Sequence, residues 1–393
     1  MARRIVIAGG GIGGLAAALA CTRAGWGVRL LERAPAFAEV GAGIQLGPNV
    51  VRILHGWGLS AALAGVAAFP ERLQVKNAVS GLILAELPLG QRTLLRYGAP
   101  YATVHRADLQ SLLLAAVCQR EDVDLRVSSE VLNFTETATA VSVTTCAGAC
   151  VDGNALIGAD GLWSRVRHQL LGDGAPRVTG HLAYRALLRQ SSLPVRLRSM
   201  QVTAWLGPKL HLVQYPVRGG EWLNVVGIVQ GQAPLDLQSW DHGTNAADLR
   251  AALAEMCPAL TALVEAIPQW RLWALCDRAP IQGAQQQAQG LVGLLGDAAH
   301  PMRPYLAQGA GMAIEDAAEL GRALGESGDA SGTVAQALGH YAGARWQRNA
   351  RVQARSIRNG EIFHASGPVR WGRDWSLRLL GARLLDLPWL YGA

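Results

Sequence analysis

Lysine is nearly missing from this chain. Of 36 basic residues among 393, only Lys76 and Lys209 are lysines; the rest are arginines. The formal net charge of +7 at pH 7 is concentrated between Arg345 and Arg383, where nine arginines face only Glu361 and Asp374. A nucleic-acid-binding protein spreads cations over a binding face, so charge confined to the C-terminal tenth argues against that class. Cys-x-x-Cys pairs are also absent. Of the six cysteines (Cys21, Cys118, Cys146, Cys150, Cys257, Cys276), only Cys146 and Cys150 lie close, without a second pair or a nearby histidine to complete a zinc site. Free thiols point to a reducing compartment. There is no internal repeat, no low-complexity linker and no uncharged run of membrane-spanning length. Ile5–Ala24 follows Arg3-Arg4 and imitates a signal peptide, but Gly9, Gly10, Gly11, Gly13 and Gly14 interrupt it. The chain is therefore expected to be soluble and cytoplasmic, with no metal, membrane or nucleic acid as partner.

A core-forming composition is present instead: 50% apolar and 17% charged residues. The length suits two domains or one large composite. Arg4-Ile-Val-Ile-Ala8 reads as a buried strand, and Leu15–Ala24 as an Ala/Leu-rich helix. Val28–Glu32 reads as a second strand ending in an acid. Between the first strand and the helix stands Gly9-x-Gly11-x-x-Gly14. In that context the pattern is a dinucleotide-binding turn. Gly9 permits the tight turn, Gly11 lets the backbone approach a pyrophosphate, and Gly14 allows close packing of the helix. The helix N-terminus favours phosphates, and Glu32, followed by Arg33, is placed to meet ribose hydroxyls. On this evidence alone the nucleotide is NAD or FAD.

Further along, Asp108–Arg120 reads as a helix with Asp108 as N-cap. Val131–Thr145 reads as a hairpin with Ala147-Gly148 near its turn. Gly41–Pro48 reads as a Gly-rich loop. Residues 179–280 read as antiparallel strands interrupted by a helix over Ala246–Cys257. Long helices are expected over about 309–324 and 335–365.

Two more segments each follow a strand: Gly158-Ala-Asp160-Gly161-Leu-Trp-Ser164-Arg165 and Gly296-Asp297-Ala-Ala-His300-Pro301. With the glycine turn, they make the sequence resemble, over nearly its whole length, the single-component FAD-dependent aromatic hydroxylases (class A flavoprotein monooxygenases), in particular the salicylate, 3-hydroxybenzoate and 6-hydroxynicotinate hydroxylase subgroup. The resemblance implies that Asp297 lies on the ribityl chain of FAD and that Asp160 is associated with FAD and the nicotinamide donor. It implies further that Arg106 runs along FAD, and that Gly309, Ala310, Gly311 and Met312 lie beside the isoalloxazine, with Pro301 stiffening the adjoining loop. Gln45, Pro304 and Tyr305 are the implied substrate-side contacts. As residues, Asp160 also reads as a cap for the helix near Ser164, and His300 as a structural hydrogen-bonding histidine. Small residues at 309–311 open a long helix whose free N–H groups suit an anionic flavin edge.

His211 and Tyr215 are four apart on one strand and so share a face. The resemblance turns that face toward the aromatic substrate. A histidine of near-neutral pKa there is expected to act as base toward a ring hydroxyl, with Tyr215 orienting the ring; the plainer alternative is a solvent-facing histidine and a packed tyrosine. The fold class expected is α/β. A Rossmann-like FAD-binding domain (1–75, 101–178, 281–345) is interleaved with a β-rich substrate domain (76–100, 179–280), and a C-terminal helical segment (346–393) either covers the FAD domain or forms a homodimer contact. The function expected is hydroxylation of a small aromatic acid with NADH or NADPH and O2 through a C4a-hydroperoxyflavin. The alternatives are a flavin oxidase on another small molecule and a non-catalytic FAD-binding protein. Gly43-Ile-Gln45-Leu-Gly-Pro48 leans to hydroxybenzoate-type members and His300-Pro-Met-Arg-Pro304 to hydroxynicotinate-type members, so the ring itself stays open.

Overall fold

The computed structural model describes residues 3–37, 42–234, 236, 237, 242–244, 246–326 and 333–392; Gly41 of the expected loop lies outside them. Contacts divide the chain into two compact units: Met1–Glu39, Leu109–Arg177 and Asp277–Ser356, and then Val40–Asp108, Val178–Cys276 and Ile357–Ala393.

The first unit is built on a six-stranded sheet. Its order is Ala288–Gln289, Val292–Leu294, Ala155–Gly158, Arg4–Ala8, Gly27–Leu31, Val123–Arg126. Every neighbouring pair is parallel except the edge pair 288–289 with 292–294. Ile5, Val6 and Ile7 are fully buried, as β-branched residues of a sheet covered on both faces are. The helix Ile12–Arg23 is buried nearly all round and packs on the helix Gly309–Glu326. The approach is closest at Gly321, where a Cβ would stand 2.9 Å from the Ala20 carbonyl oxygen; only glycine fits. A three-stranded antiparallel sheet, Val131–Glu136, Val141–Thr145 and Cys150–Gly153, completes the β structure. The expected hairpin is thus a meander, and Ala147-Gly148 turns between its second and third strands.

The second unit is built on an eight-stranded sheet. Its order is 242–244, Trp270–Asp277, Arg177–Arg189, Trp222–Gln230, Leu210–Val217, Val202–Gly207, Arg72–Asn77, Ile83–Pro88. One face is closed by the helices Ala247–Ala252 and Pro258–Glu265, whose Leu249, Leu260, Leu263 and Val264 pack on Leu210, Leu212, Leu223 and Val225. The helix expected over 246–257 is therefore shorter, Ala247–Ala252, and a second helix begins beyond it at Pro258. Cys257 is extended (ψ 148°) because Pro258 follows it, and the proline opens the second helix at its first position. The C-terminal helices Gly367–Leu380 and Ala382–Leu385 pack against the strand Ile83–Pro88. Gly43–Leu46, expected as loop, is a strand paired with Ala102–His105. Among the described residues no helix is long and apolar enough to cross a membrane, and no cluster of ligands could hold a metal.

Candidate active site

In the first unit, the strand Arg4–Ala8 ends at Gly9. Its φ of +103° suits glycine, and a Cβ there would meet the Ala159 carbonyl oxygen at 2.4 Å. Gly11 caps the helix. The first helical bond runs from Leu15 N to Gly11 O, so the amides of Ile12, Gly13 and Gly14 have no intrahelical acceptor. A Cβ on Gly14 would meet the Gly9 carbonyl oxygen at 1.9 Å. Glu32 is engaged by this turn: it accepts from Gly10 N at 2.6 Å and from Ala34 N at 2.8 Å. Arg33 beside it is exposed.

Asp297 is exposed in the 3-10 turn Gly296–Ala298. A Cβ on Gly309 would stand 4.0 Å from its Oδ1, so the carboxylate lies beside the start of the long helix. That helix makes its first bond from Met312 N to Gln308 O, leaving the amides of Gly309, Ala310 and Gly311 without intrahelical acceptors. Pro301 and Tyr305 are buried nearby in sequence, and Pro304–Leu306 is a 3-10 turn. Burial raises the Tyr305 pKa, so its phenol stays protonated. Asp160 is a cap: it accepts from Ser164 Oγ (2.5 Å), Arg165 N (2.8 Å) and Val166 N (3.2 Å).

Beneath these segments lies a buried ionic network. Asp316 Oδ2 accepts from His300 Nε2 (2.5 Å) and Gly296 N (3.2 Å). Its Oδ1 accepts from Arg345 Nε (2.8 Å) and Asn349 Nδ2 (2.9 Å). Burial alone would raise the Asp316 pKa, but the charges of His300 and Arg345 and the hydrogen bonds hold it well below the usual carboxylate range. The structural reading of His300 is thus the observed one. Arg348 pairs with Glu315 at 2.6 Å.

In the second unit, His211 and Tyr215 are both buried, at 3% and 4% exposure. They lie on the face of their strand opposite Leu210 and Leu212. At about 3.3 Å per residue they are roughly 13 Å apart along it. His211 Nδ1 lies 2.8 Å from His364 Nε2. The His364 ring is in turn 4.9 Å from that of His181, and Phe363 meets His211 edge-on at 5.4 Å. Burial, with His364 and His181 beside it, presses the His211 pKa well below its ordinary value. This corrects the expectation of a near-neutral pKa: burial and the neighbouring imidazoles both disfavour the charged form. It is neutral at neutral pH.

Tyr215 is hemmed in by Gly43, where a Cβ would stand 2.6 Å from the tyrosine ring, and by Asn224, whose Oδ1 accepts from Gly43 N at 2.7 Å. Gln45 lies two residues on, with its Oε1 accepting from Tyr101 at 2.7 Å. The register of Arg177–Arg189 through Trp222–Gln230 to Leu210–Val217 sets Arg185, Val226 and Val213 in one row. Arg185 therefore shares the face of His211 and Tyr215. Its guanidinium carbon lies 3.2 Å over the centroid of Trp273. Its Nε is buried without a hydrogen-bond partner, and no carboxylate among the described residues pairs with it. Burial pushes its pKa down to about 9; Tyr215 opposes this and the nearby Arg106 charge adds to it. It remains a cation at neutral pH. Asp108 is not an N-cap: it lies within the helix Arg106–Cys118, drawn into a two-pronged pair with Arg218 at 2.7 Å through each oxygen.

Residues 3–356 match the family described as FAD binding domain. The chain is 38% identical to the 3-hydroxybenzoate 6-hydroxylase of Polaromonas naphthalenivorans (strain CJ2), over 99% of this chain and 95% of that one. The chain belongs to the FAD-dependent aromatic hydroxylases. This hydroxylase is also 37% identical to the 6-hydroxynicotinate 3-monooxygenase of Bordetella bronchiseptica, over 95% and 94% of the two chains. Among solved structures it resembles Klebsiella pneumoniae HpxO complexed with FAD and uric acid (TM-score 0.85, 25% identity, 98% and 94% coverage).

Its cofactor is FAD, and the first unit fits that group: two helix starts with open amides and an exposed carboxylate beside the second. The sequence expectations fall into two sets. Gly9, Gly11, Gly14, Glu32, Arg33, Asp160, Asp297, Pro301, Pro304, Tyr305 and Gly309–Met312 are in the first unit. Gln45, Arg106, His211 and Tyr215 are in the second. Arg185, Tyr101, Asn224 and His364 were missed. Arg185 alone carried a signal, as a charge inside the apolar strand Leu182-Ala-Tyr-Arg-Ala-Leu-Leu188.

Proposed function

We propose that this hydroxylase acts on a small aromatic ring bearing a hydroxyl and a carboxylate, of the hydroxybenzoate or hydroxynicotinate class. The observation that carries this reading is Arg185. A guanidinium stacked on Trp273 and lacking an acid partner is an incomplete ion pair, and a substrate carboxylate completes it with a charge-assisted hydrogen bond. The substrates named for the two relatives are acids of this kind.

In this reading the amides opening the helix Ile12–Arg23 receive the FAD pyrophosphate, with Gly9, Gly11 and Gly14 shaping the turn. Glu32 and Arg33 lie at the ribose end, and Asp297 holds the ribityl chain. The amides of Gly309, Ala310 and Gly311, followed by Met312, donate to the electron-rich edge of the ring system. Arg106 adds positive potential for the anionic groups, and Asp160 and Pro301 position the loops. Bound FAD supplies electron transfer from NADH or NADPH to O2 and delivery of one oxygen atom to the ring. Tyr215 and Gln45 orient the substrate. His211, neutral before substrate arrives, accepts the proton of the ring hydroxyl at Nε2. The resulting oxyanion enriches the ring in electrons and lowers the barrier to electrophilic oxygen. All six cysteines are free, which suits work in the reducing cytoplasm.

The test is a screen of NADH and NADPH oxidation with hydroxylated aromatic acids, each paired with the phenol or pyridinol lacking its carboxylate, with product mass recorded. Oxidation and a product 16 mass units heavier (or the decarboxylated phenol) with acids alone supports the reading. Equal response to the uncharged partners sinks it.

A further inference from the structure

The histidine beside the base comes from the far end of the chain. His364 follows the long helix Val334–Phe363, is 7% exposed, and has its Nε2 2.8 Å from His211 Nδ1. Its placement is braced from several directions. Its carbonyl accepts from Lys209 N at 3.0 Å, tying it to the turn before the His211 strand. Arg373, paired with Asp374, donates to the carbonyls of Ile362 and Phe363 at 3.2 and 2.8 Å. His181 lies against its ring at 4.9 Å.

Chemistry sets what such a contact does. A neutral imidazole carries one proton, on Nδ1 or Nε2, and the partner of one nitrogen decides the protonation of the other. If His211 is to take a proton at Nε2, its own proton must sit on Nδ1, and Nδ1 faces His364. We propose that His364 is a positioning residue for the hydroxylation: its Nε2 accepts from His211 Nδ1–H and fixes the tautomer whose Nε2 receives the substrate's hydroxyl proton. This rests on the reading of His211 given above. One proton moves, from the ring oxygen to His211 Nε2. The ring becomes an oxyanion and His211 an imidazolium whose Nδ1–H stays bonded to neutral His364. The proton returns when product leaves. Because the partner is an imidazole and not a carboxylate, His211 is not charged in advance. It becomes charged only when the substrate oxyanion is there to balance it. Among the described residues His364 and His181 lower the His211 pKa; Arg373, paired with Asp374, holds the 362–363 backbone.

The test uses the FAD-loaded full-length protein with His364→Phe, which keeps bulk and removes the acceptor, and His364→Gln, which keeps an acceptor oxygen. The tautomer is read first by 15N NMR of histidine-labelled protein, with the His211 signals assigned by loss in His211→Phe. This readout is independent of any substrate. Wild type and H364Q should show His211 protonated at Nδ1, and H364F should not. In turnover, H364F should keep its FAD content and the substrate KM, lose about tenfold or more in product formation, release more peroxide per NADH and shift its pH profile; H364Q should recover most of this. An Nε2–H tautomer in wild type, or identical His211 spectra in wild type and H364F, overturns the proposal. So does an H364F pH profile and coupling equal to wild type. If the NMR result holds but no aromatic acid yields product in wild type, it is the substrate reading that fails.

Discussion

Tyr101 donates its hydroxyl to Gln45 Oε1 at 2.7 Å, while Tyr391 meets the Tyr101 ring edge-on at 6.4 Å. The phenol fixes the amide of a residue on the strand that walls in Tyr215. Tyr101→Phe removes the donor and leaves packing intact. An unmade buried hydrogen bond costs about 1–3 kcal/mol, so the KM for the aromatic acid should rise about five- to tenfold or more with FAD content unchanged. Steady-state kinetics on the purified variant checks this; an unaltered KM would free Gln45 from the account.

Arg185 gives a sharper expectation. Removing one partner of a desolvated charge pair costs about 2–5 kcal/mol, and 1.36 kcal/mol is a factor of ten. Arg185→Met should therefore weaken binding of an aromatic acid at least about thirtyfold, and binding of the uncharged analogue much less. Titration followed by flavin absorbance separates the two ligands. Equal losses for both would mean that Arg185 only packs on Trp273.

The depressed pKa of His211 fixes the acid side of the activity profile. The pH dependence of kcat/KM reports groups of the free enzyme. His211 is protonated only well below its ordinary pKa of about 6.5, so kcat/KM should hold as pH falls through 6.5 and drop at lower pH. A loss centred at or above 6.5 that disappears in His211→Gln would contradict the observed cluster.

Asp316 predicts how the fold responds to acid. Its carboxyl pKa is lowered on folding. Its contribution to stability is thus complete above its unfolded value of about 4 and is lost as pH falls below that toward the folded value. Asp316→Asn should cost about 3–5 kcal/mol, because His300 and Arg345 lose their buried counter-charge. Denaturant unfolding at pH 7 and at pH 4 to 3 should show wild type converging on the variant only at the acid end.

Asp297 ties the loop to the cofactor. Asp297→Ala should leave the apoprotein folded, since the side chain is exposed, and lower the FAD retained through purification. Absorbance at 450 nm against protein concentration measures it. Full yellow occupancy would remove Asp297 from the cofactor site.

Much of this is legible in the sequence. The run Arg4–Ala8, its glycine turn and the acid at 32 form one local βαβ unit, and local units are written in contiguous sequence. The long helices beginning near 309 and 334 showed for the same reason. What escaped depends on pairing between distant segments. Gly43–Leu46 looks like a loop until Ala102–His105 pairs with it. Asp108 looks like a cap until Arg218, 110 residues away, takes both its oxygens. His364 carries no motif, and its meaning comes only from the ring 2.8 Å away on a strand 153 residues earlier. The sequence placed His211 and Tyr215 on one face, but the chemical character of that face, imidazoles at one end and an unpaired guanidinium in the middle, needed the sheet register.

Transfer of one atom of O2 to the ring of a hydroxylated aromatic acid is read out by isotope labelling. FAD-loaded protein, reduced nicotinamide and the acid that best triggers its oxidation are allowed to react under 18O2, and product and peroxide are quantified. One 18O atom per molecule of new ring hydroxyl is expected, with product close to stoichiometric with nicotinamide oxidised. Nicotinamide consumed with all the label in peroxide, for every hydroxylated aromatic acid tried, would contradict it and make the chain an oxidase.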